Sequence, residues 1–145
     1  EYKYRVNWSK VEFCNNIEEI EHPIVREALK LFEIDFPIEI TTFSDIPGST
    51  GLGSSSAFTV GLVHALHALK GKHATKHTLA TEAVSIEVDI LKRTMGKQDH
   101  FASAYGDLNV FTFNLEGLSR AVDTIEDLNF VRTKMKNDEF FKLYK

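Results

Sequence analysis

Tyr4, Val6 and Trp8 alternate with Arg5, Asn7 and Ser9, and with Val11 and Phe13 carrying the alternation on, the pattern predicts a strand across residues 2–14. Asn15 and Asn16 mark a turn. Beyond it Ile24, Ala28, Leu31 and Phe32 recur at helical spacing behind Pro23, which predicts an amphipathic helix over about 22–34 with its proline in the first turn. Pro37 restarts an extended stretch, Ile38 to Phe43, with alternate apolar positions. After a Gly/Ser-rich segment, Phe58, Leu62, Val63, Leu66 and Leu69 predict a nearly buried helix that stops near Gly71. Leu79, Ala83, Ile86, Ile90 and Leu91 predict another over about 75–92, with Glu82, Glu87, Asp89 and Lys92 on its other faces. Leu108, Val110, Phe111 and Phe113 then predict a strand that pairs with 118–125 across a turn at 114–117, and residues 126–145 predict a helix with a solvated, charged face. The sum is an α+β chain.

Bulk properties narrow its partners. A length of 145 residues with 43% hydrophobic content suits one domain spanning 1–145, and the formal charge of −4 gives no basic footprint for nucleic acid. The lone Cys14 has no internal disulfide partner, which fits a reducing compartment. No apolar run approaches the roughly 18 residues of a membrane span, and charges occur throughout residues 1–20, so neither a membrane partner nor a signal peptide is expected and the predicted location is cytoplasmic. His64 and His67, and His73 and His77, stand three and four apart, but without a nearby Cys or an intervening Glu they read as surface or interface histidines rather than a zinc site.

The chemistry concentrates in Ile46–Ala57, Ile-Pro-Gly-Ser-Thr-Gly-Leu-Gly-Ser-Ser-Ser-Ala. Glycines let the backbone approach a ligand, and serines at a helix start bring hydroxyls and free N–H groups to its positive end. Gly53 is followed by Ser rather than Lys-Ser/Thr, so this is not a Walker loop; the glycine spacing does not fit a dinucleotide fingerprint, and no Gly-x-Ser-x-Gly elbow is present. What remains is a phosphate cradle or, more plainly, a Gly/Ser loop that starts a core helix.

Pro47-x-x-x-Gly51-Leu52-Gly53-Ser54-Ser55-Ser56-Ala57 resembles the central ATP-binding motif of the galactokinase, homoserine kinase, mevalonate kinase and phosphomevalonate kinase superfamily. Ile86-Glu87-Val88-Asp89-Ile90-Leu91, Gly96-Lys97-Gln98-Asp99-His100 and Ala104-Tyr105-Gly106 extend the resemblance, which is greatest toward bacterial kinases acting on D-glycero-D-manno-heptose 7-phosphate. It implies the ribosomal protein S5 domain 2-like fold, a mostly antiparallel sheet covered by helices, and ATP-dependent phosphorylation of a sugar or sugar phosphate. By resemblance, Pro47, Gly48, Thr50, Gly51, Leu52, Gly53, Ser54, Ser55 and Ser56 bind the nucleotide, Ser55 and Glu87 hold Mg²⁺, and Asp99 faces the acceptor hydroxyl as base. Asp89 is the alternative to Glu87. Asp99 is expected in a loop, where Lys97 could pair with it or with a phosphate. The plain alternatives are a solvated glutamate at 87 and a helix-capping aspartate at 99.

The resemblance is incomplete. His100 and Asp107 depart from the usual Gln and Gly of related heptose kinases, which bears on substrate choice. An amino-terminal acceptor motif and a glycine-rich carboxyl-terminal motif are not found, so the chain reads as the nucleotide-binding core of such a kinase, without its second domain. A non-catalytic nucleotide-binding fragment and a structural or interaction domain are the other two readings.

Overall fold

The computed structural model describes residues 2–45, 51–109, 111–114 and 117–121. They fall into two compact units, divided between Ala104 and Tyr105. In the first, β1 (Tyr4–Asn7) lies between β2 (Val11–Cys14), antiparallel to it, and β3 (Ile38–Thr41), parallel to it. In the second, β4 (Phe111–Asn114) pairs antiparallel with β5 (Gly117–Ala121). Among the described residues two of the three pairings are antiparallel. The tail at 126–145 and residues 122–125 lie outside the described residues, as do the predictions for them.

Residues 2–14 are not one strand. A turn closed by Trp8 N donating to Lys10 O at 2.9 Å separates β1 from β2; even-numbered residues face inward on both strands, while the apolar positions switch from even to odd across it. Tyr4 and Val6 face the core, but on β2 Glu12 and Cys14 are buried while Val11 and Phe13 are about half exposed. Glu12 can be inside because its carboxylate is satisfied: Trp8 Nε1 donates to it at 2.6 Å, Glu21 N at 2.5 Å and His22 N at 3.2 Å. This ties the hairpin to the start of α1 (Pro23–Leu31).

α1 begins where His22 Nδ1 accepts from Val25 N at 3.3 Å, with Pro23 at its first position. That acceptor needs a neutral ring, and burial lowers the His22 pKa in the same direction. Ile24, Val25, Ala28 and Leu29 form its buried face, while Leu31, predicted inward, is exposed. Ile20, Val25, Leu29 and Ile34 join Val6 of β1 in one hydrophobic core with Val63 and Leu66 of α2 (Ser54–Leu69) and Ala83 of α3 (Lys76–Val84). α2 is less enclosed than its sequence suggests, since Phe58 is half-buried and Leu69 exposed. Gly71 ends it with φ +66°, a conformation that favours glycine.

The predicted helix over 75–92 is two segments. Thr75 caps α3, which runs into a π-helical segment, Ser85–Ile90, closed by Leu91 N donating to Ile86 O. The wider turn carries Ile90 out to solvent and leaves both Ile86 and Glu87 buried. The sequence reading put Glu87 off the inward face; it is 0% exposed. α4 (Gln98–Tyr105), where a loop had been expected to hold Asp99, follows.

Candidate functional site

α2 starts from Gly53, whose φ of +73° and ψ of 18° are left-handed and which, as the capping residue, has no side chain to offer the first N–H groups. Gly51 has φ +74°. The expected nucleotide residues Gly51, Leu52, Gly53, Ser54, Ser55 and Ser56 thus form the turn into a helix, with Leu52 exposed, Ser54 and Ser55 half-buried and Ser56 buried. Pro47, Gly48 and Thr50 lie outside the described residues.

Ser55 and Glu87 come together. Ser55 Oγ donates to Glu87 Oε2 at 2.5 Å, and Thr59 Oγ1, one turn along α2, donates to Glu87 Oε1 at 2.8 Å. His100 Nε2 lies 3.2 Å from Glu87 Oε1; an ionised carboxylate only accepts, so this nitrogen carries the proton. Arg93 Nη1 donates to Glu87 Oε2 at 2.6 Å and to Ser55 Oγ at 2.8 Å. Burial raises the Glu87 pKa, but the bonds from His100, Ser55 and Thr59 and the Arg93 charge outweigh it and hold the group at about 2. Asp89, its alternative, is exposed.

Asp99 sits on the first turn of α4, half-buried, against the glycine turn. A β-carbon at Gly53 would stand 3.2 Å from both Cβ and Cγ of Asp99 and 3.3 Å from its Oδ2. Gly53 therefore serves twice, for its left-handed backbone and for its open side. Gly53→Ala is expected to lower stability by about 1–2 kcal/mol in thermal or chemical unfolding, from the left-handed backbone alone, and to push Asp99 away. An unchanged melting temperature would contradict this. Among the described residues no ion pair or hydrogen bond joins Lys97 to Asp99, so that pairing is not formed.

Thr59 and Arg93 were not singled out in the sequence, and His100 only as a departure from pattern. Thr59 carried a usable signal, four residues beyond Ser55 on one helix face. Arg93 carried none, because its position depends on the π turn and on Lys92, which has φ +54°. Arg93 N donates to Glu87 O at 3.0 Å, closing the helix end one residue wider than the usual glycine-based stop.

Two hard oxygens at one point, one from a carboxylate that stays ionised, fit Mg²⁺, which takes one or two protein groups and completes its shell with phosphates and water. Among the described residues no three or more His, Cys, Asp or Glu side chains gather as a metal cage. His67 instead lies 2.7 Å from Glu82, and His77 packs on Phe101. A groove of about 520 Å³ opens farther along α2, lined by Val60, His64, Lys76, Leu79 and Ser103 among others, and Ser55, Glu87 and Asp99 are not part of its wall. No helix among the described residues is long and apolar enough to cross a membrane.

Comparison with known proteins bears on this site. A family model described as the GHMP kinases N terminal domain matches residues 6–107. A D-glycero-alpha-D-manno-heptose 7-phosphate kinase of Campylobacter jejuni is 33% identical over 72 residues, covering 50% of this chain and 21% of its own. A mevalonate kinase of Methanothermobacter thermautotrophicus is 33% identical over 84 residues, 58% of this chain and 27% of its own. The crystal structure of a D-glycero-D-manno-heptose 1-phosphate kinase from Bacteriodes thetaiotaomicron superposes with a TM-score of 0.69 at 20% identity, over 82% of this chain and 42% of that one. The chain spans less than half the length of each.

Proposed function

Because this chain belongs to the GHMP kinases, we propose that it forms the nucleotide-binding core of a kinase that transfers the γ-phosphoryl group of ATP to a hydroxyl of a sugar phosphate. What carries the proposal is the 2.5 Å approach of Ser55 to Glu87 beside a glycine turn that abuts Asp99. D-glycero-D-manno-heptose 7-phosphate is the preferred acceptor, supported by the motif resemblance and by one such relative. The mevalonate kinase relative keeps the acceptor class wider. A buried, free Cys14 suits the proposed cytoplasmic setting.

In this reading the amides of the turn from Gly51 to Ser56 and the half-buried Ser54 hydroxyl hold the phosphates at the start of α2. Ser55 Oγ and Glu87 would hold Mg²⁺, which neutralises phosphate charge when bound. Thr59 and His100 orient Glu87 by hydrogen bonds to its other oxygen. Asp99 accepts the acceptor's hydroxyl proton as that oxygen bonds to the γ-phosphorus and the bond to the ADP bridging oxygen breaks.

Calorimetric titration with Mg²⁺ and a non-hydrolysable ATP analogue, AMP-PNP, tests this directly. Saturable binding is expected, weakened about tenfold or more in Ser55→Ala, the scale of losing a bond to a charged partner. Absence of binding by the folded wild-type chain would reject the nucleotide-binding core.

A further inference from the structure

Arg93 lies between the stretches 86–91 and 96–100 that carry the resemblance, and its charge lies where a cation is wanted. One guanidinium nitrogen reaches both Ser55 Oγ and Glu87 Oε2, at 2.8 and 2.6 Å, the two oxygens assigned above to Mg²⁺. Ser55 has given its hydroxyl hydrogen to Glu87, so Arg93 uses one of the lone pairs that a metal would need. A divalent ion on the same oxygens would face a full positive charge at contact distance.

Three features show that the contact is built in. Glu87 is 0% exposed and both of its carboxylate oxygens take side-chain hydrogen bonds, with Arg93 the cation among their donors. Lys92 holds φ +54°, uncommon for a residue with a side chain, and this reversal lets Arg93 N close onto Glu87 O. The Arg93 side chain remains 37% exposed, which leaves it a path into solvent.

We propose that Arg93 is the resident counter-ion of the Ser55–Glu87 site and that a divalent cation binds by displacing it. This one side chain then sets the divalent concentration the site requires. The inference rests on the metal role proposed for Ser55 and Glu87.

The test is an electron paramagnetic resonance titration of Mn²⁺ into the full chain, wild type beside Arg93→Met, each with and without AMP-PNP. Removing the competing charge lowers the half-saturating Mn²⁺ concentration about tenfold in both conditions, an ordinary size for coupling between two exclusive occupants. Arg93→Lys stays near wild type, and Arg93→Gln replaces Met if that variant does not fold. An equal or higher Mn²⁺ requirement in the neutral variants overturns the proposal, and so does the absence of bound Mn²⁺ in every protein. Mn²⁺ binding that depends on Arg93, without AMP-PNP binding, upholds the proposal and rejects the kinase reading.

Discussion

Asp99→Asn is expected to lower turnover about 10²–10⁴-fold with whichever acceptor the wild type phosphorylates, the usual range for removing a general base. The amide keeps the shape that packs against Gly53 but does not take up a hydroxyl proton. Because proton transfer belongs to the transition state, kcat and kcat/KM should fall together and AMP-PNP affinity should hold. Steady-state kinetics beside calorimetry separates these quantities. Turnover above about a tenth of wild type would remove Asp99 from the chemistry and leave it as a first-turn carboxylate at the positive end of α4.

Glu87→Ala should lower stability by about 3 kcal/mol in denaturant unfolding, because it strands the donors of Ser55 and His100 and leaves the charge of Arg93 unpaired, while Thr59 keeps its bond to Ser55 O. Mn²⁺ binding should vanish with it. Glu87→Gln isolates the charge. With EDTA present, a carboxyl at about 2 in the folded protein against 4.5 unfolded adds stability that is whole above pH 4.5 and disappears as pH falls toward 2. The full shift corresponds to about 3 kcal/mol at neutral pH. The gap between wild type and Glu87→Gln in urea midpoints, followed from pH 6 to pH 2, should close across that interval. A gap independent of pH would mean that the charge is not what stabilises the fold.

Most of this architecture is legible in the sequence where periodicity and punctuation agree. Pro23 and the spacing of Ile24 and Ala28 locate α1, and Gly71 marks the end of α2. The glycines and serines drew attention to the start of α2, and resemblance paired Ser55 with Glu87 rather than Asp89; Ser55 and Glu87 do meet. The burial of Glu87 was not legible, since a solvated glutamate and one satisfied by four side chains look the same in a single sequence. The hairpin was misread because Val11 and Phe13 are apolar yet outward, and Glu12 is acidic yet inward, held by amides that only folding supplies. Arg93 was invisible for a related reason: a π turn has no periodic signature, and a left-handed lysine is not a stop signal.

The Glu87 carboxylate is also a joint in the molecule's frame. Side chains from α2, from the segment after α3 and from α4 converge on its two oxygens, so α2 is pinned at one point to the stretch from Glu87 to His100. Any ligand that recruits those oxygens must loosen some of the pins it finds. Occupancy of the site and the stiffness of this helical layer are thus set by the same few atoms, and a ligand's arrival would be felt as a change in how firmly the helices are fastened together.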